Sequence, residues 1–402
     1  MRRLRFQMSS KDSAELEVFK ERSGDWSLDA GGTSGEWIWF HGASMGEVNS
    51  LLPIAHAIKA TGTSVVFSAV TKTGVKKAID AGYEAHYFPV DRAVYWEKLL
   101  TIFTKRKKPK AIIFGETELW PLFIRSMSAA QIPLALVNAR LSSTSVRRYS
   151  LIKGVIQKIL SLINIIACGS SLSAERFATL GADAGSVVVT GNAKYDVPPK
   201  SIDIAKVKAT YFTSDYPLIT LGSLRPGEEA FWFEAILRCK EHNILWAVVP
   251  RHPEKFSFFA QELEKRGITY TRVTQLTSPA SSNVLLVDTM GIIEDFYASS
   301  SLAFVGGTLC PKLGGHNLFE PARYGVPVIA GPEGETIKDI REELVREHGM
   351  VMVHSLDEIV TTVSKAIRGE LVDIGKKGRQ VYAQHTGATK RIIDELTRRN
   401  II

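Results

Sequence analysis

Short apolar runs, rich in β-branched and aromatic residues, alternate along this chain with longer stretches whose apolar residues recur at helical spacing. In the first half, Trp37–Phe40, Ser64–Ser68, Ala111–Phe114, Pro133–Val137, Ile163–Ala167 and Val187–Val189 read as strands. In the second half the candidates are Leu218–Leu221, Leu245–Val249, Val284–Val287, Ala303–Val305 and Val328–Ala330. Helical stretches fit between most of them, the pattern of a parallel sheet covered on both faces. Leu151 to Cys168 reads as an amphipathic helix running into a short strand, and no apolar run reaches the roughly 18 residues of a spanning helix. Tyr195–Lys200, with Pro198 and Pro199, interrupts the rhythm as a linker would. The expectation is an α/β protein of two doubly wound, Rossmann-like domains facing a cleft, residues 1–197 and 198–402, with the last helix able to return to the first domain. That is the GT-B architecture. In such sheets ligands bind beyond the carboxyl ends of the strands, so the loops after strands carry the candidate chemistry.

In the first half, His41–Val48 combines small residues with Glu47 at a helix start. A carboxylate there is either a general base or simply a favourable charge at the positive end of a helix. Gly115–Pro121 places Glu116 and Glu118 at a strand end, suited to chemistry or to orienting a cation, with Trp120 and Pro121 read as packing. Arg140, in Asn138–Ser142, either grips an anion or pairs with one of those carboxylates. In the second half, Gly222–Glu229 has the small-residue turn and helix start of a phosphate-binding loop, with Ser223 at its tip. Arg251 offers a planar fork of donors and His252 another donor. The turn before Ile292 and Ile293, with Gly291, leaves main-chain groups for a nucleobase. The glycine-rich stretch Gly314–Glu320 places Asn317, Leu318 and Phe319 at a helix start. Glu320 lies one turn in, where it can accept from ribose hydroxyls; the plain alternative is a loop that only packs a helix on a sheet.

The 402 residues exceed one ordinary core, and a formal charge of +8 favours phosphorylated or polyanionic partners. Basic residues do not interleave with aromatics as a nucleic-acid stacking platform requires, so no nucleic-acid partner is expected. The three cysteines have no metal-ligand spacing, which points away from zinc and towards a reducing compartment. Met1–Phe6 is basic but is followed by polar residues rather than an apolar core, so no export signal or anchor is expected there. Two basic groups, Arg2, Arg3 and Arg5, and Lys105–Lys108 with Lys110, are candidates for contact with an anionic membrane surface.

Taken together, His41–Val48, Glu116–Pro121, Asn138–Ser142 with Ser145 and Tyr149, Gly191–Asp196, Val249–Phe256, Asp288–Gly291 and Gly314–Pro321 resemble the Kdo transferases. These move 3-deoxy-D-manno-octulosonic acid (Kdo) from CMP-Kdo to the lipid A precursor. The resemblance runs in order from about residue 35 to 335. It implies a GT-B fold and inverting transfer with neither metal nor cofactor. Family members usually begin with an apolar anchoring helix, which Met1–Glu21 does not show, and the acceptor is a phosphorylated amphiphile, so the expectation is a peripheral protein on the cytoplasmic face of the inner membrane. The resemblance also implies Glu47 as general base, Glu116 and Lys194 as transition-state stabilisers, and CMP contacts from Arg251, His252, Gly291, Ile292, Ile293, Asn317, Leu318, Phe319 and Glu320. This chain differs from the family in Arg225, where a histidine is common, and in Glu333–Thr336 after Gly331-Pro332. Those differences keep a second reading open, a GT-B transferase or epimerase for another nucleotide sugar. A third, a non-catalytic nucleotide- or nucleic-acid-binding protein suggested by the +8 charge, gives Glu47 no purpose.

Overall fold

The computed structural model describes residues 10–28, 35–105, 108–196 and 198–402. Two compact units result: residues up to Asp196 together with His385–Ile402, and Pro198–Gln384. The first holds a seven-stranded parallel sheet. Its strands are β1 (Trp37–His41), β2 (Ser64–Ala69), β3 (Glu84–Tyr87), β4 (Ala111–Gly115), β5 (Leu134–Ala139), β6 (Ile165–Cys168) and β7 (Val187–Val189), in the order β3-β2-β1-β4-β5-β6-β7. The second unit repeats the plan with β8 (Leu218–Leu224), β9 (Leu245–Pro250), β10 (Thr271–Arg272), β11 (Val284–Leu286), β12 (Leu302–Val305), β13 (Val328–Ala330) and β14 (Met350–Met352). Their order is β10-β11-β9-β8-β12-β13-β14.

Both sheets are buried on both faces, which is why the central strands read as unbroken apolar runs. In β1, Trp37 and Trp39 enter one core with Phe103, Phe114 and Phe123, while Ile38 and Phe40 enter the opposite core with Val48, Leu51 and Phe67. This is the two-residue period of a strand. The helix Met45–Lys59 covers the second face through Val48, Leu51, Ile54, Ala55 and Ile58. Ile392 and Leu396, from the helix Ala388–Arg398, complete that same core.

Each run expected as a strand coincides with one, apart from Pro133, Ile163, Asn164 and Val287, which fall just outside the strand ends. The strands that pattern reading did not find are β3, β10 and β14, each at a sheet edge and each only partly buried. An edge strand has fewer neighbours, so its composition is less constrained towards apolar residues.

Strand order reverses between β1 and β4 in the first sheet and between β8 and β12 in the second. At each reversal the connecting helices leave towards opposite faces and open a crevice beyond the strand ends.

Glu21 secures the helix Ser10–Arg22 to β3. It accepts from the Tyr87 N–H at 2.8 Å and faces His86 Nδ1 at 2.7 Å, while His86 Nε2 lies 2.9 Å from Glu84. Burial opposes charge on His86, but the two carboxylates outweigh it and push its pKa from 6.5 up to about 9. A raised histidine pKa stabilises the fold fully below the unfolded value near 6.5, and that contribution is lost as pH rises through about 9. The urea midpoint is therefore expected to fall over that window, and a His86→Gln variant is expected to flatten the dependence. An unchanged slope in the variant would assign the pH effect to other groups.

Candidate active site

In the first unit, the loops after β1, β4, β5 and β7 carry the candidate residues. Ser44 caps the helix Met45–Lys59, its side chain accepting from the Glu47 N–H. Glu47 reaches back, and its Oε2 accepts from the Ala43 N–H at 2.7 Å. This reciprocal capping holds the carboxylate at the strand end. Its pKa is pushed from 4.5 to about 7, first by burial and then by the neighbouring charges of Glu118 and Glu116, against the lowering pull of the Ala43 N–H and Ser44 hydroxyl.

Glu118 lies beside His41, the buried last residue of β1. The His41 Nδ1 faces Ser68 Oγ at 2.9 Å, and its Nε2 lies 3.6 Å from Glu118 Oε2, an ion-pair distance rather than a hydrogen bond. The Trp120 indole N–H donates to the same oxygen at 2.6 Å, so Trp120 orients a carboxylate as well as packing. Burial raises the Glu118 pKa, but His41 and Trp120 more than cancel it and leave the carboxyl below its ordinary value. Two neighbouring carboxyls are thus driven apart: Glu118 stays charged and raises Glu47. Tyr149 also lies within the field of Glu118.

Glu116 has a left-handed backbone, φ 54°. Its Oε2 accepts from Arg140 Nε at 2.9 Å and Nη2 at 2.8 Å, so the pairing alternative for Arg140 is the observed one. Lys194 sits in the single turn Ala193–Tyr195, with its Nζ 4.8 Å from the centre of the Tyr195 ring. Buried Asn138 bolts that turn in place: its Oδ1 accepts from the Ala193 N–H at 2.8 Å, and its Nδ2 donates to Ser50 O at 3.1 Å. Burial raises the Tyr195 phenol, Lys194 and Arg140 pull it down, and Glu116 pushes it up. The turn therefore brings Lys194, Arg140 and Glu116 around one ring.

In the second unit, Ser223 is the penultimate residue of β8, buried and left-handed at φ 54°. Its carbonyl is approached so closely by Gly306 that a Cβ there would lie 2.1 Å from the oxygen. Glu228 locks these loops together. Its carboxylate accepts from the N–H groups of Arg225 at 3.0 Å, Gly307 and Thr308 at 2.9 Å, and Leu309 at 3.0 Å. The Arg251 N–H donates to Leu224 O at 3.1 Å, and the Arg251 side chain is exposed. His252 Nδ1 lies 3.8 Å from Glu254.

His316 faces this group. Its Nε2 is buried without a hydrogen-bond partner, as are Arg225 Nε and the Tyr297 hydroxyl. Burial, followed by the positive charges of Arg251, Arg225 and His252, pushes the His316 pKa from 6.5 down to about 4. Tyr297 feels both Glu320 and Arg251. Cationic groups converging on a half-buried imidazole can seat an anion.

The stretch 314–320 differs from expectation in one respect. Its helix is a single turn, Phe319–Ala322, so Glu320 lies in the first turn rather than one turn in. Asn317 Oδ1 already accepts from the Phe319 N–H at 3.1 Å. Leu318 and Phe319 are buried, and Ile292 and Ile293 pack against the core, so these four face apolar neighbours rather than open space. Gly291 takes φ 91° in an exposed turn before the helix Ile293–Ala298. Glu294 joins that turn to the 319–322 turn through Arg323 at 2.8 Å and the Tyr324 hydroxyl at 2.8 Å.

Among the basic residues singled out for membrane contact, Arg2, Arg3, Arg5, Arg106 and Lys107 lie outside the described residues. Lys110 is paired with Glu36 at 3.0 Å, and Lys108 donates to Ala130 O at 3.1 Å. Sequence reading did not single out the roles of His41, Asn138, Tyr195, Glu228, Tyr297 or His316. Of these, His316 had a visible signal, a histidine inside the glycine-rich stretch.

The family model described as 3-deoxy-D-manno-octulosonic-acid transferase (kdotransferase) matches residues 17–197. The chain is 32% identical over 372 residues to a 3-deoxy-D-manno-octulosonic acid transferase of Haemophilus influenzae, covering 89% of this chain and 86% of that protein. A transferase of the same name from Bordetella pertussis is 28% identical over 378 residues, again with 89% and 86% coverage. Among solved structures, a UDP-GlcNAc 2-epimerase from Neisseria meningitidis, bound to UDP-GlcNAc, superposes with a TM-score of 0.63 at 12% identity, covering 90% of this chain and all of that one. That last likeness concerns the GT-B fold alone. With the carboxylate cluster at one switch point, the anion seat at the other, and relatives of this similarity spanning most of its length, the chain belongs to the 3-deoxy-D-manno-octulosonic acid transferase family of glycosyltransferases.

Proposed function

We propose that the chain transfers Kdo from CMP-Kdo to a hydroxyl of the lipid A precursor by single, inverting displacement. The observation that carries this reading is Glu47, a carboxyl raised to about 7 beside a second carboxylate that stays charged. A base with that proton affinity is matched to neutral pH. Glu47 takes the acceptor O–H proton as the oxygen attacks the anomeric carbon. The bond from that carbon to the CMP phosphate oxygen breaks, and its electron pair leaves on CMP. Arg251, His252 and the Asn317–Glu320 turn hold the nucleotide, with main-chain groups around Gly291 on the base. Ser223 lines the phosphate loop. Lys194 and the Arg140–Glu116 pair steady charge that develops at the sugar. The protein works at the cytoplasmic face of the inner membrane as a peripheral protein, because its acceptor is a phosphorylated amphiphile.

Incubation with CMP-Kdo and tetraacyl lipid A precursor, followed by mass spectrometry, tests the reaction. A mass increase of one or more Kdo units is expected, and none with UDP-sugars in its place; the reverse would move the donor to another class. The pH dependence tests the base. The kcat/KM value is expected to rise with pH up to about 7 and then level, since Glu47 acts only when deprotonated. Glu118→Gln removes a charge that raises Glu47, so the acid limb is expected to move to lower pH. A limb that stays in place would detach it from Glu47.

A further inference from the structure

Two local costs meet at one point of the second sheet. Gly222 lies inside β8, where a glycine weakens the strand and has no side chain to pack. A Cβ there would overlap the hydroxyl and Cζ of Tyr297, so the glycine makes room for a phenol. Tyr297 is wholly buried, and its hydroxyl has no hydrogen-bond partner among the described residues. A phenylalanine would fill the same space without burying an unpaired hydroxyl. Nearby Tyr324 shows the ordinary solution, its hydroxyl donating to Glu294 at 2.8 Å. Two local rules broken together, with no gain in packing, mark a place shaped for something other than stability.

The position of that hydroxyl is informative. Gly222 immediately precedes Ser223, so the phenol oxygen sits near the carboxyl end of β8, at the reversal of strand order. Tyr297 follows Glu294 by three positions in the helix Ile293–Ala298, so the two share a face. Glu294 in turn binds Arg323 and Tyr324 at 2.8 Å each. The helix that carries the hydroxyl is thereby fastened to the turn that carries Glu320. Burial raises the phenol pKa, the charge of Glu320 raises it further, and that of Arg251 lowers it, so both residues lie within electrostatic reach. Of these two neighbours only the carboxylate can accept the phenol proton, because a guanidinium has donors alone.

We propose that Tyr297 is a positioning residue for the donor nucleotide: with the nucleotide bound, its hydroxyl donates to the Glu320 carboxylate and aims that carboxylate at the ribose hydroxyls. A carboxylate has about four lone-pair sites, so one donated bond leaves enough to accept from two neighbouring hydroxyls. The hydroxyl then finds its partner only in the bound state, which is why the ligand-free fold tolerates it unpaired. This inference rests on the proposed placing of the ribose at Glu320, and not on the identity of the base or the sugar.

Calorimetry on the full chain with CMP and with 2′,3′-dideoxy-CMP, which lacks both ribose hydroxyls, reads this directly. The wild type is expected to bind CMP about tenfold or more tightly than the dideoxy nucleotide. Tyr297→Phe is expected to weaken CMP by about fivefold or more and to leave 2′,3′-dideoxy-CMP within about twofold, so that discrimination narrows. The ligand-free thermal midpoint should hold or rise, since an unpaired buried hydroxyl is removed. Adding Glu320→Ala should cost no more than Glu320→Ala alone, because the phenol acts through that carboxylate. With CMP-Kdo as donor, KM should rise while kcat stays near the wild-type value. Equal losses for both nucleotides, fully additive losses in the double variant, or unchanged CMP affinity would each overturn the proposal. A lowered midpoint with discrimination intact would assign the hydroxyl to packing and overturn it too. UMP and 2′,3′-dideoxy-UMP separate this from the donor reading: a wild type that prefers UMP, with discrimination that Tyr297→Phe narrows, would uphold Tyr297 while the CMP reading failed.

Discussion

Glu47→Gln is expected to lower turnover by about 100-fold or more while leaving the fold and CMP affinity intact. The substitution keeps the side-chain volume and an oxygen that can still accept from the Ala43 N–H. The helix start is independently capped by Ser44, so the loop has no reason to move. What is lost is the capacity to take a proton. If Glu47 served only the helix dipole, glutamine would cost a few tenths of a kcal/mol in stability, up to about 1, and nothing in rate. The two roles therefore separate cleanly in one experiment, steady-state turnover beside a thermal melt. Turnover near that of the wild type would remove Glu47 from the chemistry, and a large fall in melting temperature would assign it to the cap instead.

Arg251→Ala should weaken CMP binding by about 1.5–3 kcal/mol, roughly 10- to 150-fold, the cost of losing a hydrogen bond to a charged group. Its main chain is anchored to Leu224, so the truncation removes the guanidinium without freeing the loop. A second readout follows from the same charge. Arg251 is one of the groups that depress His316, so the His316 resonance should titrate at higher pH in the variant. Glu320→Ala is the companion, testing the ribose contact. Calorimetry with unchanged CMP affinity in both variants would place the nucleotide elsewhere, and an unmoved His316 titration would separate Arg251 from the seat.

The central strands were legible because burial on both faces leaves an unbroken apolar run, as in Ile112–Phe114 or Ala303–Val305. Edge strands escape this logic. Glu84 and His86 of β3 are polar because they anchor a helix through Glu21, a demand that no strand pattern encodes. In the site, Glu47, Glu116 and Arg251 were legible as polar residues in loops after strands. Their pairings were not, because Arg140 meets Glu116 across 24 positions and Glu228 binds N–H groups 79 to 81 positions away. Left-handed backbone at Glu116, Asn138 and Ser223 was equally hidden, since none of them is a glycine. The half-buried ring of His316, its Nε2 without a hydrogen-bond partner, is set by tertiary neighbours from the ends of β8 and β9.

The return of His385–Ile402 to the first unit bears on how the chain is made. Asp196 accepts from the N–H groups of Gly387 and Ala388, and Ile392 with Leu396 fills the core formed by Ile38, Phe40 and Ile165. A nascent chain emerging from the ribosome thus completes Pro198–Gln384 while the first unit still lacks its last helix. Domains generally fold in order of emergence, but here the half made first is the half finished last. During that interval an apolar groove over β1 stays uncovered, which makes it a site for chaperone capture. A fragment ending at residue 197 would keep the groove permanently, whereas 198–384 is a continuous segment with no such debt.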